Sequence, residues 1–273
     1  MALRDIVVVL DDSTQSEVRL TTAIALARQH EAFLTGLCPL DMLRPVAVAA
    51  RTVGGPGTNN NLADILERVE ADFQDRLRLA NLHGEWQAVP DTASEAFVRH
   101  TRQTDLIVLG QVNPEHPPPA GRHMLEDVLL NAGRPILAVP YAGRFETLGT
   151  HILVGWNGSR EATRALHDAL PFLTKAVAVT LLDAFPASGE TPDDAGITGI
   201  ARYLGHHGIE AKIVRLPLDG VSAADALLSY TTDIDADLLV AGGYGHSRLR
   251  ELVFGGVTRG LLQHLTVPIL MSH

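Results

Sequence analysis

Three stretches of this chain occur twice, in the same order, and that repetition limits its architecture more than any other feature. Ile152-Leu-Val-Gly-Trp-Asn-Gly-Ser answers Ile6-Val-Val-Val-Leu-Asp-Asp-Ser, and Ala236-Asp-Leu-Leu-Val-Ala-Gly-Gly answers Thr104-Asp-Leu-Ile-Val-Leu-Gly-Gln. Near the two ends, Val267-Pro-Ile-Leu answers Arg134-Pro-Ile-Leu. Ordered self-similarity of this kind marks an internal duplication. Each copy has to build the same fold from about half of the 273 residues, which is an ordinary length for one domain. A connector at 143–149 separates them, so domains are expected at 1–143 and 150–273.

Each copy alternates buried strands with amphipathic helices. Residues 6–10, Ile-Val-Val-Val-Leu, form a short continuous apolar run, suited to a strand covered on both faces. Asp11, Asp12 and Ser13 end it, and Ser13 or Thr14 can cap the helix that carries Leu20, Ala23, Ile24 and Ala27 on one face. A strand at 33–38 leads into a Pro-, Gly- and Asn-rich loop that runs to Asn61. Leu62, Ile65, Leu66, Val69, Phe73 and Leu77 then lie on one helical stripe. Strands at 85–89, 106–109 and 135–139 alternate with helices at 93–102 and 125–131. In the second copy, strands are expected at 177–183, 238–241 and 268–271, with an exposed loop at 186–194. Strands and helices in strict alternation imply a parallel sheet with right-handed crossovers.

Composition narrows the function classes. Apolar residues make up 46% of the chain and charged residues 20%, enough to bury a core. The net charge of -10 opposes nucleic acid or an anionic membrane as the main partner. No apolar run reaches membrane-spanning length, and the first residues lack a signal-peptide layout. Cys38 is the single cysteine, which excludes an internal disulfide and suits a reducing compartment. A cytoplasmic protein is expected. The histidines, including His206, His207 and His264, have no companions at metal-ligand spacing.

The chemistry-bearing stretch runs from Ala236 to the end. A buried strand stops in a loop with Gly242 and Gly245, a second glycine pair stands at Gly255 and Gly256, and a helix opens at Val257 or Thr258. Glycine leaves no Cβ in the way of a ligand, and a helix N-terminus offers N–H groups to an anion. Strand, glycine loop and helix start together suggest a phosphate cradle at the carboxyl edge of a sheet.

Gly242-x-x-Gly245, nine residues, then Gly255 resembles the nucleotide-binding signature of the universal stress protein family, in which a Ser or Thr follows the last glycine. Here Gly256 takes that slot, and Val257 and Thr258 follow the family pattern. The duplication resembles the tandem members of that family. The resemblance implies two five-stranded, doubly wound α/β domains paired about a pseudo-twofold axis, with the last strands at the seam. It also implies an adenine nucleotide, ATP with Mg²⁺, as ligand. The contacts it implies fall on Asn157, Ala184, Gly242, Tyr244, Gly245, Gly255, Gly256, Val257 and Thr258. Asn157 stands where the family has Asp, and it can still accept from a ribose hydroxyl or simply turn the chain into a helix. Ala184 aligns with a position that packs on adenine.

The first copy departs from the signature. Gln111, Val112 and Asn113 follow Gly110, and Pro117, Pro118 and Pro119 occupy the region where open glycine backbone is required. Proline has no N–H to give. The first copy is therefore expected to have lost its site, with Asp11 reduced to a turn and cap residue. In the second copy His246, Arg248 and Arg250 add positive charge, partly offset by Glu251, and read as a solvated face.

Three classes of function follow. A regulatory protein with the nucleotide as conformational ligand leads. A ligand-free pairing module, either a homodimer or an intramolecular domain pair, comes second. A slow ATPase comes last, because the chain has no Gly-Lys-Ser/Thr loop and no carboxylate set to orient a water.

Overall fold

The computed structural model describes residues 2–43, 58–92, 95–115, 124–187, 194–245 and 256–273. In the first half β1 (Asp5–Val9) is followed by α1 (Thr14–His30), β2 (Phe33–Pro39) and a single 3-10 turn at Leu40–Met42. Next come α2 (Thr58–Ala80), β3 (Gly84–Val89), α3 (Glu95–Arg102), β4 (Leu106–Gly110), α4 (Met124–Asn131) and β5 (Ile136–Val139). The second half runs β6 (His151–Gly155), α5 (Arg160–Asp168), α6 (Leu170–Leu173), β7 (Ala178–Pro186) and α7 (Asp194–His206). It ends with β8 (Ala211–Leu218), α8 (Ala223–Asp233), β9 (Leu238–Gly242), α9 (Val257–Gln263) and β10 (Ile269–Ser272).

Two boundaries differ from the sequence reading. The expected loop up to Asn61 yields its last residues to α2, which opens at Thr58. Asparagine is tolerated there because first-turn N–H groups have no partner within the helix. β7 runs on to Pro186, since β8 pairs along its whole length, from Val179↔Ala211 to Pro186↔Leu218. Ala184 is therefore a strand residue, not one that follows a strand. Proline suits the end of such a strand, where its missing N–H breaks no ladder.

The chain forms two compact units, residues 2–134 with 141–146 and residues 135–140 with 147–273. In the first unit the strand order is β3-β2-β1-β4, all parallel. Ile6, Val7, Val8 and Val9 are all buried there, as the unbroken apolar run requires. In the second unit the order is β5-β10-β9-β6-β7-β8, parallel except at β5. Among the described residues each half of the sequence thus supplies five strands. The fifth strand of the first half, however, groups with the second unit, antiparallel to β10. Its register is Ile136↔Met271, Leu137↔Leu270 and Ala138↔Ile269. Ile136 and Ile269 are the middle residues of the two copies of Pro-Ile-Leu, and each pairs with the residue that follows the partner's leucine. That reciprocity makes the strand pair locally twofold, centred on Leu137 and Leu270. A parallel pairing of the same strands would lack it.

The duplication is visible in single hydrogen bonds. Asp105 Oδ2 accepts from the backbone N–H groups of Arg4 (2.8 Å) and Asp5 (3.2 Å), just as β1 begins. Its counterpart Asp237 accepts from Gly149 (3.1 Å), Thr150 (2.9 Å) and His151 (3.0 Å) as β6 begins. In both copies the aspartate precedes the fourth strand and ties down the entry of the first strand beside it. Truncation would leave those N–H groups without a carboxylate. Asp237→Ala is expected to lower the unfolding free energy by about 2 kcal/mol, read as a shifted urea midpoint. An unchanged midpoint would show that the clamp contributes nothing.

Candidate functional site

Each copy brings the turn after its first strand to the same sheet edge as the end of its fourth strand, and the two copies use that edge differently. In the second unit Asn157 is exposed, and its Oδ1 accepts from Ser159 N at 3.1 Å. Ser159 caps α5, its Oγ accepting from Ala162 N at 3.1 Å. The amide oxygen of Asn157 is thus engaged in the turn. Ala184 is half-buried on β7, two residues beyond Leu182, where pairing with β6 ends at Gly155. It therefore overhangs the same edge.

Gly242 closes β9 directly against the first turn of α5. A Cβ there would stand 2.5 Å from Ala162 N and 2.6 Å from the Glu161 carbonyl carbon, so packing alone requires glycine. Gly245 differs. Its Cβ would meet only side-chain atoms, Glu161 Oε2 at 2.9 Å and, at 3.6 Å, Glu161 Cδ and Ser159 Oγ. Tyr244, between them, holds a left-handed backbone with φ of 54°, and its N–H donates to Thr258 Oγ1 at 2.9 Å. Thr258 is buried and Val257 exposed at the start of α9. Gly256 has φ of 47° and caps that helix without a side chain. A left-handed position strains any other residue, which gives the glycine in the family's Ser/Thr slot a backbone reason. Gly255, together with His246, Arg248, Arg250 and Glu251, lies outside the described residues.

The sequence reading passed over one group at this edge. Glu161, in the first turn of α5, is buried, and its Oε1 takes two bonds from Arg160, from Nε at 3.1 Å and Nη2 at 2.9 Å. Burial pushes its carboxyl up. Hydrogen bonds from its own N–H and from Arg160, with the charges of Arg160 and His273, outweigh that and hold it below the ordinary glutamate value. Alignment of the two copies was the available signal, since Gln15 is its counterpart in the first.

In the first unit Asp11 is fully committed. Its Oδ1 accepts from Ser13 N at 2.8 Å and from Ser13 Oγ, and its Oδ2 from Arg19 Nη2 at 2.8 Å. Both partners of that ion pair are more than nine-tenths buried. Arg19 also lies against Gly110, where a Cβ would meet its Nη1 at 2.4 Å. The counterpart of Arg19 in the second copy is Ala165, so a guanidinium fills the first edge where the second has only a methyl group. Gln111 is buried, its Oε1 accepting from Tyr141 N at 3.3 Å. Pro117, Pro118 and Pro119 lie outside the described residues. A cleft of about 450 Å³ runs from Asp12 and Ser13 to α2, but Arg76 within it is paired to Glu17 and Asp72. Cys38 is buried with Leu43 and Ile65, and burial, with the charges of Asp11 and Asp12, pushes its thiol up to about 12.

Among the described residues no three His, Cys, Asp or Glu side chains converge to hold a metal ion, and no helix is long and apolar enough to cross a membrane. These units are α/β, with turns and glycines gathered at the carboxyl edge of a parallel sheet. Residues 150–273 match the family model described as Universal stress protein family. Universal stress protein Slr1230 of Synechocystis is 28% identical over 177 residues, which cover 61% of this chain and 57% of that protein. The match thus spans little more than half of that relative's length. A universal stress protein from Archaeoglobus fulgidus has a TM-score of 0.76 at 16% identity, covering 97% of this chain and 95% of its own. A putative universal stress protein from Pseudomonas aeruginosa has a TM-score of 0.59 at 16% identity, covering 99% and 93%. Residues 150–273 are thus similar to the universal stress protein family, and the solved structures share the fold of the whole chain.

The Asp11–Arg19 pair carries a prediction with a definite sign. Burial raises the Asp11 carboxyl, but the charge of Arg19 and the bonds from Ser13 and Arg19 hold it below its ordinary value. A carboxyl depressed on folding stabilises fully above its unfolded pKa, about 3.9, and that stability is lost as pH falls through the folded value. Asp11→Asn leaves a buried guanidinium without its counter-charge and is expected to cost about 3 kcal/mol at pH 7. The same variant should show a shallower loss of stability between about pH 4 and pH 2. Urea titrations across pH measure both, and an acid limb as steep as the parent's would contradict the assignment.

Proposed function

We propose that this protein is a tandem, two-domain member of the universal stress protein family, with the domains at 1–143 and 150–273. It binds an adenine nucleotide in the second domain as a regulatory ligand. The nucleotide is ATP, with Mg²⁺ carried on its phosphates, and the protein works in the cytoplasm as a homodimer or an intramolecular domain pair. The observation that supports this reading best is the Tyr244 N–H bond to Thr258 Oγ1. It draws the loop after β9 to the start of α9, on the edge where Asn157 and Ala184 also lie. Asn157 and Ala184 would receive the nucleoside. Gly242, Tyr244, Gly245 and Gly256, with Val257 and Thr258, would flank the phosphates, and Gly255 belongs to the same signature. ATP supplies a charged ligand whose presence or absence changes the surface shown to a partner.

The first domain is proposed to be silent. Asp11, which would meet a ribose, already has Ser13 and Arg19 as partners. A second reading, the ligand-free pairing module, has one observation in its favour: the Glu161 carboxylate stands beside Gly245, on the path of a phosphate.

Gly245 offers the cleanest test, because an added side chain there meets side chains and not backbone. Gly245→Val is expected to weaken ATP binding at least tenfold, in equilibrium dialysis with labelled nucleotide, while far-UV circular dichroism stays that of the parent. Equal binding by parent and variant would reject the cradle.

A further inference from the structure

The charge beside Gly245 bears on which nucleotide the site prefers. Glu161 Oε2 is the atom a Cβ at residue 245 would meet at 2.9 Å. The other carboxylate oxygen is held by Arg160, so the group is fixed with one oxygen toward the glycines. Its side chain is only 7% exposed, whereas that of Arg160 is 82% exposed. The negative charge is therefore inside and weakly screened, and its counter-charge sits outside on a solvated arm. Hydrogen bonds and the charge of Arg160 also keep the group ionised. A phosphate seated between Gly242 and Gly245 would meet a like charge at short range.

We propose that Glu161 acts as a charge filter on this site, opposing ligands in proportion to the negative charge they bring to the glycine turn. This rests on the nucleotide reading above and refines it. A nucleoside is indifferent to Glu161, a monophosphate meets some opposition, and a triphosphate meets the most unless a cation or Arg160 offsets it. A bland role exists for the same residue, because a glutamate in the first turn of a helix completes an N-terminal cap. The two roles predict opposite signs. Removing a cap residue loosens the turn that carries Ser159 and weakens every ligand alike. Removing a like charge strengthens binding, and only for phosphorylated ligands.

Glu161→Gln keeps size and hydrogen bonding and removes the charge. Binding of ATP, AMP and adenosine to the full-length parent and variant would be measured by calorimetry in magnesium-free buffer with EDTA. The variant is expected to bind ATP about tenfold more tightly or better, AMP by a smaller factor, and adenosine as the parent does. Arg160→Ala, which strips the counter-charge from an otherwise unchanged Glu161, is expected to weaken ATP and leave adenosine alone. If both variants bind nucleotides and neither changes the ratio of ATP to adenosine affinity, the filter is overturned while the nucleotide reading stands. If no protein binds any of the three ligands, both fall. Should Glu161→Gln fail to fold, Arg160→Ala decides alone, since unchanged ATP affinity in it overturns the proposal.

Discussion

The closeness of α5 to the end of β9 sets everything else at the edge of the second unit. Residue 242 has no room for a Cβ because the backbone at Glu161 and Ala162 lies within contact distance of where it would be. That approach brings the turn after β6, with its Ser159 cap, into register with the loop after β9. It also commits Glu161, two residues past the cap, to point toward Gly245. A larger residue at 242 would push the helix off the sheet and disperse the group. Glycine here serves packing first. Three residues later, at Gly245, an added Cβ would meet only side-chain atoms.

The first copy solves the same packing problem with charge. Gly110 also lacks room for a Cβ, but what fills the space is the Arg19 guanidinium, locked to Asp11. Both groups are buried, so each depends on the other. An unpaired charge in that place would cost far more than the pair contributes. A site whose acidic residue is bound to an internal arginine has little left to offer a ligand. The second copy has Asn157 in place of Asp11 and Ala165 in place of Arg19, so it needs no such neutralisation. One substitution explains the other. The two edges thus differ in charge: a buried ion pair fills the first, while Asn157 and Ala165 stand at the corresponding positions of the second.

Much of the fold was legible because its strands are unbroken apolar runs and its helices carry regular stripes. The runs from Ile6 and from Leu238 became β1 and β9 with nearly the expected limits. The duplication was legible too, and the paired roles of Asp105 and Asp237 follow from it. Side-chain partnerships were harder to read. Arg19 falls within a helix, where an arginine ordinarily faces water, and only the tertiary approach of Gly110 turns it inward. Glu161 resembled any acidic first-turn residue. Gly242 was assigned to a ligand by its spacing, whereas its backbone contacts show a packing need. That β5 would group with the second unit, antiparallel to β10, was legible only through the resemblance, which sets the last strands at the seam. Helix limits such as Thr58 escaped because Asn residues read as loop.

The central claim is that a duplicated chain keeps one working nucleotide site and has closed the other. Calorimetric titration of the nucleotide-stripped, full-length protein with ATP and Mg²⁺ tests it most directly through stoichiometry. The account predicts one site per chain. Two sites would contradict the closure of the first edge by Asp11 and Arg19, and the absence of binding at any accessible concentration would contradict the account as a whole.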